Sequence, residues 1–376
     1  MVANATSWES PLMREHFHVP DNYFLSHSVG CQPKCVQDKL NEHYFGAWQA
    51  QGGNAWPGWM QAIDQFRVGL GRVLGVSGDL ICPQANVSSG LTKILYSLPD
   101  TGKRKTILLS EGDFPTIGFA LKQAEKAGYR LRFLPGEVSD IQAWSDAMDD
   151  SVALVHITHA LSNTSQLAPV KQVCDLARER GVISIVDIAQ SVGALPIDLA
   201  DWAPDFAIGT GLKYLCFGPG ACFLYASPQM VETCEPIDVG WFSHENPFEM
   251  DIHDFRFASN AMRFFGGTAS PAPFILANAA LEMWQEIGMA QAQERAQTLL
   301  SKLLEHIPDE ILVSPRDQGQ RGAALVIDLP QREAMSAALN ARGILFDERR
   351  EGFRFSVHGY TSEAEIAALA EALRGS

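Results

Sequence analysis

Between residues 60 and 230, short apolar runs alternate with segments of helical spacing, and this alternation restricts the fold more than any other feature. "MQAIDQFRVGLGRVLG" (60–75) is spaced as a helix and stops at a glycine, and "KTILLSEG" (105–112) reads as a buried strand. "FALKQAEKAGYRLRFLPG" continues as helix, turn and strand, and "VALVHITHA" (152–160) is another strand. "APVKQVCDLARERG" is a helix stopped by Gly181, followed by the strand "VISIVDIAQ" (182–190). "DFAIGTGLKYL" is a strand running into a loop, and "GACFLYAS" is the next strand. Uniformly apolar strands separated by helices of about 10–15 residues predict an α/β fold with a mostly parallel sheet covered on both faces. Such a sheet binds ligands at the carboxyl ends of its strands.

A long helical stretch over 270–307, interrupted near Gly288, follows this block. Beyond it, "AALVIDLP", "REAMSAALNARG", "ILFDERREGFRFSVHG" and "SEAEIAALAEALRG" read as strand, helix, two strands and helix, a smaller C-terminal α+β unit. The expected division is an N-terminal segment (1–20) packing near the small unit, a large domain (21–285) and a small domain (286–376). With 46% hydrophobic residues, a chain of 376 has enough apolar side chains for two cores. The net charge of −15 argues against nucleic acid or an anionic membrane as the main partner. The sequence holds no apolar run of the roughly 18 residues that a membrane span requires. "MVANATSWESPLMREHF" lacks the basic-then-apolar pattern of a signal peptide. Seven scattered cysteines suit a reducing compartment, so the cytoplasm is the expected location. "CQPKC" (Cys31, Cys35) has no second Cys/His pair nearby to complete a zinc site, and no metal is expected.

Lysine normally stays in water, yet Lys213 in "GTGLKYLCFGPGACFLYAS" stands among apolar neighbours. A lysine so placed loses its proton more readily and becomes an amine able to form a Schiff base with an aldehyde. Pyridoxal phosphate is such an aldehyde; its ring nitrogen needs a carboxylate partner and its phosphate a helix start with small hydroxyls. Asp187 and Gln190 follow the apolar run Ile183 to Val186, at the strand end expected to face the same crevice. "QANVSSGLTKIL" (84–95) offers a Ser-rich turn between a strand and a helix, and Phe114 in "GDFPTIG" an aromatic to stack on a ring. Each of these has an ordinary alternative: a helix cap for Asp187, Ser88 and Ser89, core packing for Phe114. Their order along the chain, phosphate turn, aromatic, strand-end Asp, then Lys with Gly-Pro-Gly, favours the cofactor.

With these pieces in place, the sequence resembles the class V aminotransferase family of fold-type I pyridoxal-phosphate enzymes, and within it kynureninase. The likeness runs from "YFLSHSVGCQPK" (23–34) to "FRFSVHGYTSEAEI" (353–366) and is most specific in "VDIAQSVGALPIDLADWAPDFAIGTGLKYLCFGPGA" and "GWFSHEN" (240–246). It implies a seven-stranded, mostly parallel sheet in the large domain, Lys213 as the Schiff-base lysine and Asp187 as partner of the pyridine nitrogen. Gln190 falls near the ring hydroxyl and Phe114 matches the stacking aromatic. Val87 and Ser88 match the phosphate-binding turn, and Thr210 the small hydroxyl three residues before the lysine. Asn163 in "HALSNTSQ" resembles the asparagine facing the cofactor, and Trp241 the tryptophan contacting it. Thr268 in "FFGGTASP" matches the threonine that reaches the phosphate of the neighbouring subunit, so a homodimer with a shared site is implied. Arg354 in "FRFSVHGYT" matches the arginine that clamps the substrate carboxylate, as its planar guanidinium suits.

The resemblance implies an amino-acid substrate but not one reaction. A cysteine desulfurase needs a thiolate on a small-domain loop, and residues 310–350 contain no cysteine. The chain departs from the kynureninase pattern at Leu212 (Tyr in that family), at Ile117 (Asp in "FPSD"), at "GGTASP" and at His27 in "SHSVG". The expected activity is therefore transamination or cleavage at the β-carbon of some other amino acid, with kynureninase-type hydrolysis as the alternative. A dehydrogenase does not fit, because the glycines of "GLGRVLG" lie inside a helical pattern and not at a strand-to-helix turn. A silent binding protein would have little use for Lys213, Asp187 and Arg354 together.

Overall fold

In the computed structural model, which describes residues 12–374, seven strands form one sheet in the order β3-β9-β8-β7-β6-β4-β5. The chain opens with two short strands, β1 (Phe17–His18) and β2 (Gln32–Pro33), that pair only with each other. The large sheet uses β3 (Ile81–Gln84), β4 (Thr106–Leu109), β5 (Arg130–Phe133), β6 (Val152–Thr158), β7 (Ile183–Asp187), β8 (Phe206–Thr210) and β9 (Cys222–Ala226). All neighbours run parallel except β9, which is antiparallel to both β3 and β8. The predicted mostly parallel, seven-stranded sheet is what forms.

Alternation along the strands divides the core in two. Val155 and Ile157 of β6 pack on one face with Phe66 and Leu70 of the helix Trp56–Leu74 and Val173 of the helix Val170–Glu179. Leu154 and Ile185 pack on the other with Leu91 and Ile94 of the helix Val87–Leu95 and Leu121 of the helix Pro115–Gln123. Each side chain buried this way contributes about 1.5–3 kcal/mol, which is why strands apolar on both faces stay at the centre of a two-sided fold. Because side chains alternate, the second face also carries His156, Thr158 and Asp187, and the register sets Thr158 directly opposite Asp187.

Gly288, at a φ of +83°, separates the helices Ala272–Ile287 and Met289–Leu304 where the sequence placed an interruption. A second antiparallel sheet then forms from β10 (Ala324–Ile327), β11 (Asp347–Arg349) and β12 (Gly352–Ser356), with β12 in the middle. Leu299 and Leu303 of the helix Met289–Leu304 and Leu369 and Leu373 of the helix Glu363–Arg374 pack with Phe353 and Phe355 in its core. Residues 1–11 of the expected N-terminal segment lie outside the described residues; Met13 and Phe17 pack with Trp284, Ala292 and Tyr360. No helix among the described residues is long and apolar enough to cross a membrane.

Candidate active site

Residues 211–221 run from β8 to β9 without regular structure, so the position of Lys213 is set by contacts of the loop backbone. The Gly30 amide donates to the Leu212 carbonyl at 2.8 Å, and the Phe217 amide to the Gly211 carbonyl at 2.8 Å. The Trp284 indole donates to the Leu215 carbonyl at 2.9 Å, and His358 Nε2 lies 3.0 Å from the Tyr214 carbonyl. Gly30 must stay bare, since a Cβ there would lie 1.9 Å from the Lys213 carbonyl oxygen and 2.7 Å from Cys216 Sγ. Gly30→Ala is expected to cost about 1–3 kcal/mol by overpacking. Thermal unfolding beside wild type checks this, and an unchanged melting temperature would refute the tight seat.

The lysine reaches a cleft of about 330 Å³ whose walls come from one edge of the sheet. Thr158, Asp187 and Thr210 lie at the carboxyl ends of their parallel strands. Cys222 joins them from the amino end of β9, which runs the other way and pairs with Thr210 and Gln84. Val87 and Ser88 contribute the first turn of the helix Val87–Leu95, whose cap is Asn86: its side chain accepts from the Ser89 amide at 2.8 Å and the Ser88 hydroxyl at 2.9 Å. Phe114 precedes the helix Pro115–Gln123 in extended conformation and stays 40% exposed at the cleft, its ring centroid 5.9 Å from Lys213 Nζ. Gln190 lines the wall and donates to the His27 carbonyl at 3.1 Å.

Asp187 is buried and accepts from the Ala189 amide at 2.8 Å, and burial pushes its carboxyl above the ordinary value against the pull of His156 and Lys213. Burial likewise draws the Lys213 ammonium below its ordinary value, with Arg354 acting in the same direction and Asp187 against both. Close enough to act on the Asp187 charge is a polar group of three side chains absent from the sequence-based site. His156 Nδ1 is 3.0 Å from Asp113 Oδ2, and the Thr158 hydroxyl donates to Asp113 Oδ1 at 2.7 Å. The signal was a histidine inside the apolar run "VALVHIT" and an aspartate beside Phe114.

Seven of the sequence-selected residues thus converge on one cleft: Val87, Ser88, Phe114, Asp187, Gln190, Thr210 and Lys213. Asn163, Trp241, Thr268 and Arg354 are not in its wall. Trp241 donates to Thr268 Oγ1 at 3.3 Å, so these two lie together elsewhere on the protomer. Arg354 is 2% exposed; it donates to the carbonyl of Ser162, a cleft residue, at 2.8 Å, and to the carboxylate of Asp347. Asp347 and Arg349 were missed, although the hairpin sets Asp347 opposite Arg354.

A primary amine whose proton is held weakly, a buried carboxylate, a helix start with hydroxyls and an exposed aromatic fit pyridoxal phosphate group by group. The aminotransferase class-V family model matches residues 22–369. A kynureninase of Deinococcus radiodurans is 27% identical, with 96% of this chain and 93% of that protein aligned. A kynureninase of Pseudomonas fluorescens is 25% identical over 90% of this chain and 84% of its own length. Among solved structures, a cysteine desulfurase from Thermococcus onnurineus superposes with a TM-score of 0.84 at 19% identity, covering 95% of both chains. A cystine C-S lyase in complex with cysteine persulfide does so with a TM-score of 0.84 at 23% identity, covering 94% of this chain and 97% of that one.

Proposed function

Since the chain belongs to the aminotransferase class-V family of pyridoxal-phosphate enzymes, we propose that it cleaves a bond at the β-carbon of an amino acid, with Lys213 as the amine that carries the cofactor. The convergence of Lys213, Asp187 and the Val87–Ser88 helix start on one cleft carries this reading. When bound, pyridoxal phosphate supplies an aldehyde for the amino group and a conjugated ring that draws electrons from the α-carbon.

The protein's part is to hold, orient and move protons. Asp187 stands at the strand end as the charged partner for a ring nitrogen, and burial keeps its carboxylate from being solvated instead. Ser88, Thr210 and the first turn of the helix Val87–Leu95 suit the phosphate. Phe114 would offer a face for the ring to stack on and Gln190 a donor for its hydroxyl, both from the cleft wall. Lys213 Nζ would hold the cofactor and exchange the α-proton with the substrate, a role for which an amine whose proton burial loosens is suited. Arg354 would hold the substrate carboxylate by charge and a guanidinium N–H.

The kynureninase and cystine C-S lyase likenesses favour β-carbon chemistry. Desulfuration through a loop thiolate lacks its nucleophile: the cleft's cysteine, Cys222, sits at a strand start with its thiol raised by burial. Thr268 away from its own cleft, with exposed apolar Ile237, Phe248, Met250 and Ile252, supports a homodimer in which Thr268 reaches the neighbouring subunit's phosphate. The test is to incubate the purified protein with a panel of amino acids, with and without a keto acid, after sizing it in solution. We expect a mass near twice 41.2 kDa and release of pyruvate, alanine or an aromatic amine without a keto acid. Accumulation of pyridoxamine phosphate would mean transamination instead, and a monomeric mass would refute the shared site.

A further inference from the structure

The Arg354 guanidinium, assigned above to the substrate carboxylate, is already engaged. Its Nη1 donates to the Ser162 carbonyl at 2.8 Å, its Nη2 to Asp347 Oδ2, and its Nε is buried without a partner. The carboxylate is delivered by backbone register: Asp347 on β11 stands directly opposite Arg354 on β12. An arginine holding one fixed carboxylate binds a second poorly, because two like charges a few ångströms apart repel. The same short edge strand supplies a second guanidinium. Arg349 Nε lies 3.6 Å from Asp347 Oδ1, and Arg349 Cζ sits 5.9 Å from the Phe114 ring centroid, at the cleft. His27 Nε2 approaches Asp347 Oδ2 at 3.6 Å, and burial pushes that imidazole down to about 4, so it adds no positive charge near neutral pH.

We propose that Asp347 is a stand-in carboxylate that the substrate displaces and Arg349 receives. In the free enzyme Asp347 neutralises the buried Arg354. On binding, the Arg354 Nη2 hydrogen bond to Asp347 Oδ2 breaks and one to the ligand carboxylate forms. Asp347 Oδ1 then closes onto Arg349, so no charge is left unpaired. Asp347 and Arg349 are thus positioning residues that set how tightly Arg354 takes a carboxylate. The three side chains together carry one net positive charge, enough for a single carboxylate.

This inference rests on Arg354 as the carboxylate site, and the experiment separates the two. Holoenzyme, its cofactor verified by visible absorbance, is titrated with propionate, a carboxylate without an amine. Asp347→Asn, which keeps shape and removes charge, is expected to tighten propionate binding about tenfold, and Arg349→Gln to weaken it about tenfold. In Asp347→Asn protein, Arg349→Gln is expected to have no effect, because no carboxylate then needs receiving. Equal weakening in both backgrounds would mean that Arg349 touches the ligand itself and would overturn the exchange. So would an Asp347→Asn protein that binds more weakly or unchanged. Arg349 is partly exposed, so Arg349→Gln alone still decides the matter if Asp347→Asn does not fold: unaltered binding refutes the proposal, and Arg349→Lys should restore it. Absence of cofactor absorbance, or propionate binding unaffected by Arg354→Gln, would contradict the underlying assignment and the exchange with it, whereas the outcomes above overturn the exchange alone.

Discussion

Replacing Lys213 with alanine is expected to leave the protein folded and to lower turnover by at least about a thousandfold. The loop is held by Gly30 on Leu212, Trp284 on Leu215 and His358 on Tyr214, all through backbone carbonyls, and none of these contacts uses the lysine side chain. Removing an ammonium whose burial already disfavours its charge costs the fold little. On this account, what disappears is the amine proposed to hold the cofactor and the one lysine among the described residues of the cleft wall that could exchange the α-proton. Steady-state rates on a substrate found in the amino-acid panel, beside thermal unfolding, check this. A loss below about tenfold with an unchanged melting temperature would remove Lys213 from the chemistry.

Asp187→Asn is expected to work in opposite directions on stability and activity. Burial raises the Asp187 carboxyl above its unfolded value, and His156, the Ala189 amide and Lys213 only partly offset that. A carboxyl raised by folding favours the protonated native state. Its contribution is therefore complete below the ordinary carboxylate range and is lost as pH rises through the folded value. Asparagine keeps the shape without that loss, so the cofactor-free variant should gain stability relative to wild type as pH rises above the ordinary carboxylate range. Cofactor affinity and turnover should fall, turnover by about a thousandfold, because a neutral amide cannot hold a charged ring nitrogen. Melting curves across that pH range and cofactor titration test both halves. A variant least stable near neutral pH would show that Asp187 supports the fold as an ion and is not kept for the ring.

The large sheet was legible because nearly every strand is apolar on both faces, and such runs have few other places in a soluble fold. The direction of β9 was not inferred, yet the signal was present: the 11 residues between Thr210 and Cys222 hold no crossover helix, and a parallel neighbour needs about a dozen or more. Lys213, Asp187, Ser88 and Phe114 could be found because each ends or follows a strand, where the edge of an α/β sheet collects polar groups. Asp347 lay outside that rule. Its partner is chosen by a tight hairpin in the smaller sheet, and the repeated charges of "DERREGFR" give no hint of which arginine it meets. Trp241 and Thr268 were expected at the cofactor, yet they face each other outside the wall of their own cleft. Thr268 was assigned to a neighbouring subunit's phosphate, which one protomer alone does not display.

The central claim is that Lys213 is the residue that carries pyridoxal phosphate. Its most direct test is borohydride reduction of the purified protein, followed by proteolysis and mass spectrometry of the peptides. The account predicts that visible absorbance is bleached and that the cofactor's added mass falls on the peptide containing Lys213 and on no other. Added mass on a different lysine, or a protein that stays colourless and unmodified after incubation with pyridoxal phosphate, would contradict it.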